Sequence, residues 1–296
     1  PVLLVLFGIF TPTEALAPFA DPVVFLLIGG LIIAEAFRAN GLDRRIAYHL
    51  VTKARGDIRL TFIALMAISA MLSMWISNTA TVALLLPVVL NIAGQANEDG
   101  RKVATLFLLG ICMSTAFGSM STIIGSPVNA IAFGLLNKVT PWSFPEWIVV
   151  GGCVSLALLG LVYIALPRVL AARSNGIDLG PIRNELENMG PIKKKEAMTL
   201  AIFMPAVGLW IGGGWTAQYL GLPPGALSAA MVSLIAAFLM FATRVIEWDD
   251  ARRISWEVFL IIGAGLAIGH ALEATGAAAL FASLLTELVG GQSLLV

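Results

Sequence analysis

Charge is what this sequence has least of. Among 296 residues there are 18 Lys+Arg and 18 Asp+Glu, so charged types make up 12%, against about 25% in soluble domains. Apolar types make up 58%, with a mean hydropathy of +0.92. A long chain this poor in charge does not stay dissolved in water. It fits a lipid bilayer, and a multi-pass protein of the cell (inner) membrane is expected. The net charge of +0 gives no basic surplus for a nucleic-acid partner. Two cysteines, Cys112 and Cys153, exclude a disulfide framework or cysteine zinc centre, and both are expected as small buried hydrophobes. Two histidines, His49 and His270, offer little for acid–base catalysis. No His-Glu-x-x-His or Gly-x-Ser-x-Gly motif occurs, which makes an intramembrane enzyme the remotest reading. No carbonyl-filter sequence or ring of charge points to a channel. Carboxylates inside apolar runs are also scarce: Glu35 is expected in a surface ion pair with Arg38, while Asp21, Asp57, Glu146, Glu257 and Glu273 sit near segment ends. That scarcity speaks against a proton relay and for a different coupling ion. No organic cofactor is expected, since Gly29-Gly30 and Gly212-Gly213-Gly214 lack the lysine of a phosphate loop and read as packing or turn glycines.

What is present is a series of apolar runs broken in two places. Residues 2–10 are too short to span, because crossing takes about 20 residues. Runs follow at 22–37, 60–92, 103–136, 147–170, 197–213, 225–243, 256–272 and 277–289. The stretch 42–55 carries Arg44, Arg45, Lys53 and Arg55 and reads as an amphipathic helix on the membrane surface. Residues 173–195 read as a polar loop with turn signals at Gly180-Pro181 and Gly190-Pro191. Basic residues at 38–59, at Arg101-Lys102 and at 168–195 place those loops in the cytoplasm, whereas 141–147 has two tryptophans and no basic residue, as an outer interface would. The run 60–92 therefore has basic residues on both flanks. A re-entrant hairpin turning at Ser77-Asn78-Thr79 keeps both flanks inside, and irregular backbone at that depth is tolerated only in protein or beside a polar cavity.

Residues 21–41 align with 256–276, pairing Gly30 with Gly265, Leu31 with Leu266, Ile33 with Ile268, Ala36 with Ala271 and Gly41 with Gly276. Small apolar residues match easily between membrane helices, but the charges add separate evidence. Residues 38–59, at and after the end of the first copy, hold Arg38, Arg44, Arg45, Lys53, Arg55 and Arg59, whereas the counterpart 273–294 holds no basic residue. Arg252 and Arg253 precede the second copy and no basic residue precedes the first. A reversed charge bias is what an inverted-topology repeat requires. The expected division is 1–171 as most of a first inverted repeat, 172–196 as a cytoplasmic linker and 197–296 as the start of a second. The partners expected for 197–213 and for the start of 225–243 fall before residue 1, and the partner expected for the Ser77-Asn78-Thr79 break falls near position 312, past Val296. A fragment cut at both ends is therefore expected, holding about half of a site.

Two polar clusters interrupt the apolar runs. The first is Ser73 followed by Ser77-Asn78-Thr79-Ala80-Thr81, leading to Pro87. Ser73 and Ser77 share a helix face. Neutral oxygens suit a hard cation such as sodium, and the helix beginning near Ala80 turns its N–H groups and dipole toward the break, favouring an anion. The plainer alternative is that Ser-Asn-Thr caps a helix. The second cluster is Gly118-Ser119-Met120-Ser121-Thr122, then Gly125-Ser126-Pro127-Val128-Asn129. Glycine permits close backbone approach and Pro127 starts a helix at its first turn. A packing kink is the alternative there.

Ser77-Asn78-Thr79-Ala80-Thr81 leading to Pro87, then Gly125-Ser126-Pro127-Val128-Asn129-Ala130-Ile131, and Gly41-Leu42-Asp43-Arg44-Arg45 resemble the divalent anion/sodium symporter family, over nearly the whole chain. The resemblance implies an all-α integral membrane protein: an inverted-repeat transporter with a re-entrant helical hairpin (60–92) and broken helices (103–136), working as a homodimer with an elevator-like transport unit. It implies sodium-coupled symport of small divalent anions, C4-dicarboxylates such as succinate foremost. A related carrier of sulfate, citrate or its metal complexes, or arsenite, or a sodium/proton exchanger, is the alternative. It implies sodium binding at Ser73, Ser77, Asn78 and the backbone of Gly125, and substrate binding at Asn78, Thr79, Ser126 and Pro127. The family's second Ser-Asn-Thr hairpin, with its second sodium site, is absent from this sequence.

Overall fold

The computed structural model describes residues 1–95, 100–170 and 178–288, and among these the only regular structure is helical. Residues 172–177 of the expected linker, Arg173 among them, and Val289 at the end of the last apolar run lie outside the described residues. The chain opens with two short helices, α1 (Val2–Leu6) and α2 (Pro12–Leu16), before α3 (Pro22–Asn40) and the surface helix α4 (Leu42–Thr52). Next come α5 (Ile58–Ser73) and α6 (Asn78–Gln95), then α7 (Gly100–Ser119), α8 (Pro127–Val139) and α9 (Phe144–Leu170). The expected polar loop 173–195 is not wholly a loop. It contains α10 (Gly180–Asn188), for which Pro181 supplies a first-turn residue without an orphan N–H. The remainder is α11 (Lys194–Tyr219), α12 (Ala229–Ala242), α13 (Trp248–Ala251), α14 (Glu257–Ala274) and α15 (Ala277–Leu288).

Helices α3, α7, α9, α11 and α14 are long and apolar enough to cross a membrane. The scarce carboxylates start helices. Asp21 accepts from the Val23 amide, Asp57 from that of Leu60, and Glu146 from that of Ser143, each satisfying an orphan donor. Glu35 departs from its expected surface place: it is 6% exposed, held by Arg38 at 2.8 Å. The pairing follows from the i, i+3 spacing, but the carboxylate sits on the inner face of α3. Cys112 and Cys153 are exposed, not buried as expected. In lipid, an outward face is itself apolar, so outward and inward thiols look alike in sequence.

The repeat is visible in backbone bonds that sequence identity does not reveal. After α1, the amides of Ile9 and Phe10 both donate to the Leu4 carbonyl. After α12, those of Val245 and Ile246 both donate to the Met240 carbonyl. The turn residues Gly8 and Arg244 both have positive φ, +71° and +55°. Capping boxes follow, Thr11 with Glu14 and Glu247 with Asp250. Then α3 is capped by Gly41, and α14 is followed by Thr275 and Gly276; both glycines have φ of +72°, and each leads into a shorter helix, α4 or α15.

The two copies run in opposite directions, and α8 shows it. Against α3, Ile124 just ahead of α8 meets Gly30 and Gly134 meets Val23, so the chains are antiparallel. Against α14, Ile131 meets Gly265, Leu135 meets Gly269 and Lys138 reaches Glu273, so they are parallel. One helix antiparallel to α3 and parallel to α14 makes α3 and α14 antiparallel to each other. The fold is an inverted-repeat arrangement.

On the basic side, α4 buries Leu42, Asp43, Ala47 and Val51 on one face. Arg45 donates to the carbonyls of Met189, Gly190 and Pro191 and pairs with the 1%-exposed Glu196 at 3.1 Å, fastening α4 to the start of α11. Asp43 is 5% exposed. Burial pushes its carboxyl from the ordinary 3.8 up to about 6, against the Arg44 amide and the Arg44 and Arg38 charges, which pull it down. A raised carboxyl makes the folded state bind protons more tightly than the unfolded one. Stability should therefore fall as pH climbs from about 4 to about 6 and level off above, with a slope of at most ~1.4 kcal/mol per pH unit. Thermal unfolding across that range, in detergent, is expected to show this slope, and Asp43→Asn to flatten it.

Candidate functional site

Both polar clusters are breaks between helices, and the two breaks lie side by side. α5 and α7 run parallel in one register: the Phe62 ring meets Gly110, Ala70 meets Gly118, and the Met74 carbonyl accepts from the Thr122 hydroxyl at 2.5 Å. A β-carbon on Gly118 would stand 2.4 Å from Ala70 Cα, so glycine sets the closeness of the two helices. α5 thus ends at the level where α7 breaks. At 1.5 Å per residue its 16 residues reach about 24 Å, short of a ~30 Å hydrocarbon core.

In the first break, Ser73 is fully buried. Its hydroxyl lies within hydrogen-bond reach of Asn78 Oδ1 and, at 2.8 Å, of the Thr115 carbonyl of α7. Ser77 caps α6, its hydroxyl accepting from the Ala80 amide at 3.3 Å while its carbonyl accepts from Thr81. The capping reading of Ser-Asn-Thr is therefore correct as far as Ser77 goes. Asn78 is half-buried, Ser77 and Thr79 are exposed, and the N-terminus of α6 opens outward from the described residues. Thr81, one turn on, is 1% exposed with no partner for its hydroxyl.

In the second break, Ser126 caps α8, accepting from Val128 at 3.3 Å, with Pro127 in the first turn. Gly125 is buried, and its amide donates to Thr122 Oγ1 at 3.0 Å. A β-carbon there would stand 2.3 Å from the Ser119 carbonyl, so the loop closes only over glycine. Asn129 donates to the Ser119 and Thr122 carbonyls, both at 2.8 Å, and ties the loop to α8. Ser73 and Asn78 are thus brought into direct contact, while Gly125 joins them only through Thr122 and Met74. Sequence reasoning quoted Thr122 and Asn129 as motif residues without giving either a role, and it passed over the Thr115 carbonyl, because backbone acceptors carry no residue signature.

The break is also held from the side by aromatic rings. Trp75, at the turn after α5, stacks on Trp210 of α11 (centroids 5.5 Å apart, planes at 11°) and meets Phe203 edge-on at 5.1 Å. Phe203 in turn packs edge-on against Phe37 of α3, and Phe144 also stacks on Trp210. Such ring pairs add to simple area burial, and this column fixes the turn against α11.

Among the described residues, no group of three or more His, Cys, Asp or Glu side chains comes together as a metal site. The oxygens at the breaks are neutral, and each break offers the start of a helix.

Inverted repeats with helices broken inside apolar segments are the architecture of multi-pass membrane proteins of the secondary-transporter class. The match is to the family described as the citrate transporter family, CitMHS, over residues 1–296, and the chain belongs to that family. Among curated relatives it is 32% identical to an uncharacterized transporter of Haemophilus influenzae, over 99% of this chain and 63% of that protein. It is 27% identical to the sodium-dependent dicarboxylate transporter SdcS of Staphylococcus saprophyticus, over 94% and 58%. It is 29% identical to an uncharacterized transporter of Methanocaldococcus jannaschii, over 100% and 65%. The chain thus spans about three-fifths of the length of the curated relatives it matches.

Proposed function

We propose that the protein carrying this chain is a sodium-coupled symporter of small divalent anions, C4-dicarboxylates such as succinate foremost. The meeting of neutral oxygens at Ser73 carries this reading. Its hydroxyl lies within reach of Asn78 Oδ1 and the Thr115 carbonyl. Each of these oxygens has lone pairs beyond the one hydroxyl proton that Ser73 can share. A sodium ion beside them would find the neutral oxygens that hard cations take. Ser77 and the backbone of Gly125 complete the proposed sodium set. Asn78, Thr79, Ser126 and Pro127 form the proposed anion site, where the helix starts of α6 and α8 favour a carboxylate. The name of the SdcS relative supports this reading.

The hairpin α5–α6 is re-entrant in this proposal. Its support is the shortness of α5 and its parallel course beside α7, which itself continues past the break into α8. The proposed organisation is 1–171 as most of one repeat, 172–196 as a cytoplasmic linker and 197–296 as the start of the inverted copy, in a homodimer.

Citrate is the second substrate reading, favoured by the family's description. Uptake of labelled succinate into proteoliposomes, challenged with unlabelled succinate or citrate, separates the two. Succinate is expected to compete at least tenfold better. Stronger competition by citrate, with uptake of labelled citrate, assigns the site to tricarboxylates.

A further inference from the structure

The proposed cation and anion sites each draw on both helix breaks, and one buried side chain bridges the two breaks. Thr122 is 0% exposed. Its hydroxyl donates its only proton to the Met74 carbonyl, one residue past Ser73, and its oxygen accepts from the Gly125 amide, one residue before the cap of α8. The Thr122 carbonyl is itself held by Asn129, in the first turn of α8. Met74 belongs to the free carbonyl end of α5, which no α5 amide can satisfy. The rings of Trp75 hold the other side of that turn.

We infer that Thr122 is a positioning residue that couples the two breaks, so that closing oxygens around a cation at Ser73, Asn78 and Gly125 shifts Ser126 and Pro127 toward the anion. The inference rests on the sodium-symport reading of these sites. A threonine serves because one group must donate to one break and accept from the other. Valine has the same shape and can do neither, whereas serine can do both. Coupling of this sort appears as a change in one ligand's affinity caused by the other, and it is reciprocal.

The test uses the complete protein that contains this chain, in proteoliposomes, with succinate uptake measured across a matrix of sodium and succinate concentrations. In the wild-type protein, saturating succinate is expected to lower the half-saturating sodium concentration at least fivefold, within the usual range of coupling between sites. Thr122→Val is expected to lower that ratio at least twofold, the remainder passing through Asn78, with the succinate KM raised about tenfold, and Thr122→Ser is expected to restore the ratio. A side chain that merely supports the fold would lower the amount of active protein and leave the ratio unchanged. A Thr122→Val protein that retains the wild-type ratio, or one not recovered folded while Thr122→Ser behaves as wild type only in yield, overturns the inference and leaves the symport reading standing. A wild-type protein whose uptake ignores sodium overturns the reading itself.

Discussion

Replacing Asn78 by alanine is expected to cut sodium-driven uptake by at least a hundredfold while the protein still folds and inserts. The side chain is half-buried at the open start of α6, so truncation leaves no large internal cavity. Its Oδ1, however, is the oxygen that faces Ser73. Losing it removes one ligand from the proposed neutral-oxygen cation site, which has few to spare, and it also removes a polar group at the helix start where the anion is proposed to bind. Cation and anion should therefore weaken together. Asn78→Asp is informative beside it. An aspartate keeps a ligand oxygen but places negative charge where a carboxylate must dock, so sodium binding should survive better than succinate binding. Initial uptake rates at several sodium concentrations, normalised to protein recovered by size-exclusion chromatography, check both variants.

Gly125→Ala is expected to be nearly as severe for a different reason. A β-carbon at this position falls 2.3 Å from a backbone oxygen, that of Ser119, and backbone cannot swing aside as a flexible side chain can. The loop must open, and doing so breaks the bonds that Thr122 and Asn129 make across it. Two or three hydrogen bonds at about 1 kcal/mol each, plus the cost of leaving buried partners unmet, amount to several kcal/mol. The expected outcome is a melting temperature lowered by several degrees and uptake reduced at least tenfold. By contrast, Gly152→Ala on α9, where nothing lies within 4 Å of the added carbon, should be neutral in both assays.

The parts of this fold that were legible in the sequence are those where the bilayer makes polarity expensive. Ser77-Asn78-Thr79 and the stretch through Gly125-Ser126-Pro127 stand out because nothing polar belongs inside an apolar run without a reason, and the helices do break there. Arg252 and Arg253 ahead of the second copy, against a counterpart stretch ahead of the first with no basic residue, announced the inversion, which α8 then shows by lying antiparallel to α3 and parallel to α14. What the sequence hid depends on tertiary placement. The matched turns at Leu4 and Met240 share backbone bonds while their residues differ, glycine in one and arginine in the other. The Thr115 carbonyl is invisible because every residue has one. The contact of Trp75 with Trp210 joins residues far apart in the chain, and seven tryptophans in an apolar sequence do not say which will meet. Glu35 and the two cysteines were misplaced for one reason. Inside and outside are both apolar in a membrane, so hydropathy separates core from lipid poorly, whereas it separates core from water well.

The central claim is that neutral oxygens at the first break bind sodium and make transport depend on it. The most direct test is uptake of labelled succinate by the complete protein in proteoliposomes, with external sodium replaced by choline at constant ionic strength and pH. Uptake that collapses in choline, and returns with a sigmoidal or saturable dependence as sodium is restored, is the predicted result. Uptake that proceeds equally in choline and follows an imposed pH gradient instead would contradict it.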